Sequence, residues 1–242
     1  MAIVLYTDFT AADIYVGQMK AVLLGHAPGV AIVDLFHDVP DYDIRAGAHL
    51  LAACLPQFPV STVFLAVVDP GVGTERDAVV LECDGRYLVG PDNGLMSVCA
   101  ARAVQTRCWS IAWRPPKLSA SFHGRDLFAP VAAAIAADCW PTDRVVAKPA
   151  LHVQLGGADL AQIVYIDHYG NACTGLRASG VPNDAIVATG DSRLHCRRVF
   201  GAAAPGEPFW YENSLGLVEI AACRASAAKM LGLTHGLAVQ VL

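Results

Sequence analysis

The sequence predicts an α/β fold: a mostly parallel sheet with helices, followed by a smaller, mainly antiparallel β domain. Three observations carry this. Short apolar runs of strand type alternate with helical patterns over the first half of the chain. The run Val63–Val68 is apolar throughout, as expected of a strand buried on both faces. Beyond a proline-bounded stretch, Pro141–Pro149, strands and turns dominate and a single helical segment appears. The expected domains are 1–145 and 146–242.

Ile3–Tyr6 reads as the first strand. Asp13 opens a helical pattern through Met19 and Leu23, which Pro28-Gly29 ends. Ala31–Leu35 is the second strand. Asp43 is placed to cap a helix over Ile44–Leu55, which stops before Pro56. The strand Thr62–Val68 ends at Asp69-Pro70-Gly71. Ala78–Cys83 and Arg86–Val89 flank Asp84-Gly85, a hairpin signal. A loop at Gly90–Gly94 leads to a short helix, and Arg125–Ala137 predicts a strong one with Asp126 in its first turn. In the second half, strands are expected at Gln162–Asp167, Ala185–Ala188, Leu194–Val199, Glu207–Tyr211, Leu215–Ala221 and Leu237–Leu242, with a helix at Ala225–Leu231.

Composition narrows the function classes. The 242 residues are 55% apolar and 16% charged, which is globular rather than disordered. A net charge of −5 without any Lys/Arg run argues against nucleic acid as a partner. The longest apolar stretch, Leu127–Ala137, contains Pro130 and falls well short of the about 20 residues that span a bilayer. The amino terminus lacks signal-peptide features. These points predict a soluble cytoplasmic protein without a membrane partner, and the apolar excess predicts an oligomer. None of the eight cysteines forms a C-x-x-C pair or a zinc-spaced cluster, so reduced, mostly buried thiols and no metal site are expected.

Three segments can carry chemistry. In Val68–Arg76, an acid follows a buried strand, a Pro-Gly turn follows the acid, Gly71 and Gly73 allow close backbone approach to a ligand, and Arg76 can fold back toward Asp69. The plain alternative is a β-turn with a surface ion pair. His123 stands beside Gly124 at a helix start, where backbone N–H groups favour an anion; the alternative is a cap with an exposed imidazole. Asp8 ends the first strand and can accept two hydrogen bonds from a ribose diol, or simply serve a turn. The loops Gly90–Gly94, Asp167–Asn171 and Asn213-Ser214 belong to a weaker class. His37 and His49 read as core or surface histidines. There is no G-x-S-x-G elbow, phosphate-binding P-loop or H-E-x-x-H motif.

Taken in order, Tyr6–Phe9, Asp13–Lys20, Ile32–Val39, Val67–Gly73, Val89–Leu95, Phe122–Pro130, Tyr169–Asn171 and Asn213–Ala221 resemble the S-adenosylmethionine hydroxide adenosyltransferases, relatives of fluorinase and chlorinase. The resemblance covers nearly the whole chain. It implies a Rossmann-like N-terminal domain, a β-barrel-like C-terminal domain, and a homotrimer with ligand between subunits. It implies hydrolysis of S-adenosylmethionine to adenosine and methionine, with Asp69, Arg76 and His123 at the reacting centre. Asp8 then matches the ribose carboxylate, Tyr169 and Asn171 the adenine and methionine contacts, and Ser214 a methionine contact. Leu215 stands where the fluorinase has arginine, so methionine anchoring differs. The halogenating branch has Tyr at the place of Asp69 and Tyr-Ser at His123-Gly124, so this chain matches the water-using branch. S-adenosylmethionine is substrate in that scheme, and no cofactor is implied. The rival readings are a halogenase of the same fold, a non-catalytic S-adenosylmethionine or adenosine binder, and an enzyme acting on another 5′-substituted adenosine.

Overall fold

The computed structural model describes residues 1–242, which divide into two units, Met1–Gly157 and Ala158–Leu242. In chain order the first holds β1 (Ala2–Thr7), α1 (Ile14–His26), β2 (Ala31–Phe36), α2 (Ile44–Cys54), β3 (Val63–Val67), β4 (Ala78–Cys83), β5 (Arg86–Pro91), α3 (Ser97–Arg102), β6 (Thr106–Ile111), α4 (Ala129–Ala136) and β7 (Val145–Lys148). The strands form one sheet ordered β2-β1-β3-β5-β4-β6-β7. The neighbours from β2 to β5 are parallel, and β4, β6 and β7 are added antiparallel. The chain runs from β1 to β2 on one side and returns to β3 on the other. The carboxyl ends of β1 and β3 therefore flank a topological switch point, where open α/β sheets bind ligands.

The wholly apolar β3 explains the layering. Val63, Leu65 and Val67 pack into a core with Met19 and Leu23 of α1 and Val131 of α4. Phe64, Ala66 and Val68 face the opposite core with Leu51 of α2 and Val98 of α3. A slip of one residue would exchange the two sets, so both cores specify the register. Helix starts follow the acids expected of them: Asp13 Oδ1 accepts from Ile14 N (2.8 Å) and Asp43 Oδ1 from Ala46 N (2.8 Å).

Two departures concern the site and the domain boundary. The expected helix over Arg125–Ala137 opens as a π-helical turn, Gly124–Phe128, before α4. The expected linker holds β7, the edge strand of the first sheet, so the division between units falls at 157/158 rather than 145/146. Asp92 is one tie that holds this stretch to the first unit. Its side chain is 1% exposed and accepts from Lys148 Nζ (2.8 Å), His152 N (2.8 Å) and Val153 N (3.3 Å).

The second unit holds β8 (Leu160–Ile166), β9 (Ala172–Arg177), β10 (Val187–Thr189), β11 (Ser192–Leu194), β12 (Pro208–Glu212), β13 (Leu217–Ala222), α5 (Ala227–Leu231) and β14 (Gln240–Val241). It forms a four-stranded antiparallel sheet, β12-β13-β9-β8, and a three-stranded sheet, β11-β10-β14. Trp210 is buried in its core and donates from Nε1 to Ala185 O (3.1 Å), so its polar edge is satisfied. No helix in the chain is long and apolar enough to cross a membrane.

Candidate active site

Asp69 leaves the end of β3 two residues beyond its last paired position. Asn93 braces that exit: its Nδ2 donates to Val68 O (2.8 Å), while its Oδ1 accepts from Leu95 N (3.2 Å). Two successive turns then reverse the chain, with Val72 N donating to Asp69 O and Thr74 N to Gly71 O (both 3.2 Å). Arg76 is thereby returned to the acid. Its Nε donates to Asp69 Oδ1 (2.9 Å) and its Nη2 to Asp69 Oδ2, a two-point carboxylate–guanidinium pair. The same Nη2 donates to His123 Nδ1 (3.0 Å). The Phe128 ring lies 5.3 Å beneath the guanidinium and packs edge-on to the imidazole.

His123 immediately precedes the π turn. The turn that carries it is pinned by Asp126, whose Oδ2 accepts from Ser119 N (2.9 Å) and whose carboxylate is clasped by Arg125 Nε and Nη2 (2.6 and 3.0 Å). Gly73 meets this turn directly. It has φ +81°, and a Cβ there would lie 2.5 Å from Ala120 O. The close approach anticipated for this glycine is thus to the His123 loop.

Burial depresses the His123 pKa, and the Arg76 guanidinium depresses it further; Arg114 acts in the same sense, while Asp69 and Asp126 oppose. A guanidinium only donates, so His123 Nδ1 is the acceptor and the proton of the neutral ring sits on Nε2. The acid limb of kcat/KM is expected below the ordinary histidine value of about 6.5, with activity lost as the pH falls through it. A limb at or above that value in a pH–rate profile would contradict this. Because the folded pKa is lowered, the stability contributed by neutral His123 is present above its unfolded value and is lost as pH falls.

Asp8 follows β1. Burial raises its pKa; the Tyr42 amide, donating to Oδ2 at 3.5 Å, opposes the rise, while the charges of Asp41 and Asp69 add to it. Asp8 and Asp69 line one cleft of about 310 Å³ together with Phe9, Tyr15, Tyr42 and Pro70. The switch point therefore holds both carboxylates singled out in the sequence.

In the second unit, Tyr169 is 68% exposed and its ring lies 3.7 Å from that of His168, tilted by 43°. Asn171, in the same turn, is buried and donates from N and Nδ2 to the Asp167 carboxylate (2.8 and 2.9 Å). Ser214 is exposed in the β12–β13 turn, framed by Asn213 Oδ1, which accepts from Leu215 N (2.9 Å) and Leu217 N (3.0 Å). The adjacent Asn213 donates from Nδ2 to Cys173 Sγ (3.4 Å), two residues from Asn171. Asn93, Asp126 and Phe128 support the Asp69–Arg76–His123 set, a role that sequence reasoning does not assign to them. Asn93 enters there only within the Gly90–Gly94 loop, Asp126 only as an acid in a helix first turn, and Phe128 only inside the block Phe122–Pro130.

The cleft at the strand carboxyl ends, with Asp69 joined to Arg76 and His123 at its edge, has the layout of a ligand site in an open α/β sheet. The family model for the SAM (S-adenosylmethionine) hydroxide adenosyltransferase N-terminal domain matches residues 3–145, and that for the C-terminal domain matches residues 161–240. The chain belongs to the SAM hydroxide adenosyltransferase family. It is 38% identical to the (R)-S-adenosyl-L-methionine hydrolase of Thermus thermophilus, over 98% of this chain and 97% of the relative. It is 25% identical to a fluorinase of an Actinoplanes species, over 97% and 95% of the two chains. The crystal structure of an uncharacterized conserved protein from Thermotoga maritima superposes with a TM-score of 0.89 at 29% identity, covering 99% of both chains.

Proposed function

We propose that this protein hydrolyses S-adenosylmethionine, in the (R) form specified by its relatives' names, to adenosine and L-methionine. The observation that carries the reading is the Asp69–Arg76–His123 set, whose acid opens onto the cleft shared with Asp8. Water oxygen bonds to C5′ as the C5′–S bond breaks. The bonding pair goes to sulfur, the sulfonium becomes methionine's neutral thioether, and one proton is released. A neutral leaving group needs no acid, so the enzyme's task is to hold and deprotonate water. The Arg76–His123 hydrogen bond occupies Nδ1, which supports His123 as a donor from Nε2 that orients the nucleophile, and Asp69 as the proton acceptor. Arg76 offsets charge on the developing hydroxide. Asp8 takes the ribose diol, and Tyr169, Asn171 and Ser214 are assigned to adenine and methionine. The scheme calls for no metal or redox group.

The water-using reading also fits the packing at Gly124. A Cβ there would lie 3.1 Å from Met19 Sδ and 3.3 Å from the Phe122 ring, so the serine of the halogenating branch would need these side chains to give way by a few tenths of an ångström. Exposed apolar side chains such as Ile14, Tyr42 and Tyr169 support burial in a homotrimer, and the free, mostly buried cysteines support a reducing cytoplasmic compartment.

Incubation with S-adenosylmethionine in ¹⁸O-water tests the reaction. Equal adenosine and methionine are expected, with the label on the adenosine 5′-oxygen, and no 5′-halo-adenosine in chloride or fluoride. Intact substrate, or unlabelled adenosine, would overturn the reading.

A further inference from the structure

We propose that His37 is a positioning residue for ribose recognition, acting through Thr7 on Asp8. The inference deepens the proposed function and rests on its assignment of Asp8.

His37 is 5% exposed and has partners on both ring nitrogens. Nε2 lies 3.0 Å from Asp34 Oδ1, and Nδ1 lies 2.8 Å from Thr7 Oγ1. Asp34 is also bound by Lys20 Nζ. One pattern of donors satisfies the whole chain. Nε2–H donates to the Asp34 carboxylate, the Thr7 hydroxyl donates to Nδ1, and Phe9 N donates to Thr7 Oγ1 (3.3 Å). The last bond spans Asp8 and fixes the backbone on either side of it.

The main chain of the same residues ties the two loops that border the cleft. Thr10 N donates to His37 O (2.7 Å), and Val39 N donates to Thr7 O (3.3 Å). Both loops hold non-glycine residues in the left-handed region, Thr10 at φ +56° and Tyr42 at φ +62°. Such conformations persist only where the surroundings over-determine them. Tyr42 supplies the amide that faces Asp8 Oδ2. Thr7 is fully buried, so its hydroxyl serves position and does not itself meet ligand.

The experiment is calorimetric binding of adenosine and of 2′,3′-dideoxyadenosine, which lacks the diol. The ratio of the two affinities reads the diol contact, and a general loss of packing would weaken both alike. Thr7→Val keeps shape and removes the hydroxyl. It should lower the ratio by about three- to tenfold, the worth of one buried hydrogen bond, and Thr7→Ser should restore it. His37→Leu should lower the ratio similarly; if it does not fold, Thr7→Val and His37→Asn, which keeps an acceptor near the Nδ1 position, carry the test. In an Asp8→Ala background, Thr7→Val should change adenosine affinity by less than about twofold, since residues acting through one group are not additive. His37→Asn should hold the ratio near the parent's, and a ratio lowered by Asp8→Ala but unmoved by Thr7→Val and His37→Leu overturns the positioning role alone. A ratio that Asp8→Ala leaves unchanged overturns the ribose assignment and this inference with it.

Discussion

Arg76→Lys is expected to lower turnover by about 10²–10³-fold, the loss typical of removing one charge-stabilising donor, while leaving adenosine affinity within about threefold. The reason is geometric. Three atoms of contact converge on one guanidinium: Nε and Nη2 hold both oxygens of Asp69, and Nη2 also reaches His123 Nδ1. A lysine ammonium is a single point and lacks the planar fork. It can reach Asp69 but cannot hold both oxygens and keep the imidazole in its tautomer. Lysine is the right probe because the pair is largely shielded, with side chains 10% and 5% exposed. Arg76→Ala would strand a carboxylate at a cost of about 3–5 kcal/mol, confusing chemistry with folding. Steady-state adenosine release, with calorimetric binding as its partner measurement, checks the expectation. Turnover within threefold of the parent would show that the fork is dispensable.

Gly73→Ala should be nearly as damaging, although the residue bears no functional group. At φ +81° an alanine is strained by about 1–2 kcal/mol, and its Cβ would be forced to within 2.5 Å of the Ala120 carbonyl. The Asp69–Arg76 loop and the His123 loop would then separate. An Arg76–His123 distance of 3.0 Å has little slack before the hydrogen bond is lost. Misplacement of about 1 Å can reduce rate about 10²-fold, which sets the expected loss. A second signature identifies the cause. With Arg76 drawn away, His123 loses one of the influences that depress its pKa, so the acid limb of kcat/KM should move upward. The charged neighbours that remain are Asp69, Asp126 and Arg114. Gly73→Asn separates strain from collision, because asparagine tolerates the left-handed backbone but still carries a Cβ. If Asn restores turnover, strain alone is responsible and the two loops are not set by contact.

Much of the candidate site is legible in the sequence because local features bring its residues together. An apolar run marks β3, a Pro-Gly turn reverses the chain after Asp69, and glycine spacing allows Arg76 to return. The same reasoning located Asp8 and the caps Asp13 and Asp43. What it missed depends on partners distant in sequence. β7 is a four-residue edge strand between prolines, with a mixed burial pattern, and it becomes a strand only by pairing with β6. β9 contains Gly175, where an added Cβ would meet Leu160 at 2.6 Å, so its composition reads as a loop until β8 is beside it. The π turn is a matter of backbone register, and the residues Gly124-Arg125-Asp126-Leu127-Phe128 carry no pattern that separates it from an α-helical start. His37 reads in the sequence only as a core or surface histidine, because its partner Thr7 lies 30 residues away.

The anchoring of Asp92 bears on how this chain is cut. A fragment ended where the strand pattern first fades, near Arg144, would lose Lys148 together with the amides of His152 and Val153, stranding a sequestered negative charge inside the sheet. The same excision would strip β6 of its flanking strand and leave its backbone groups open to solvent and to other chains. Recombinant versions of the first half should therefore extend through Gly157, and linkers or tags belong after that residue.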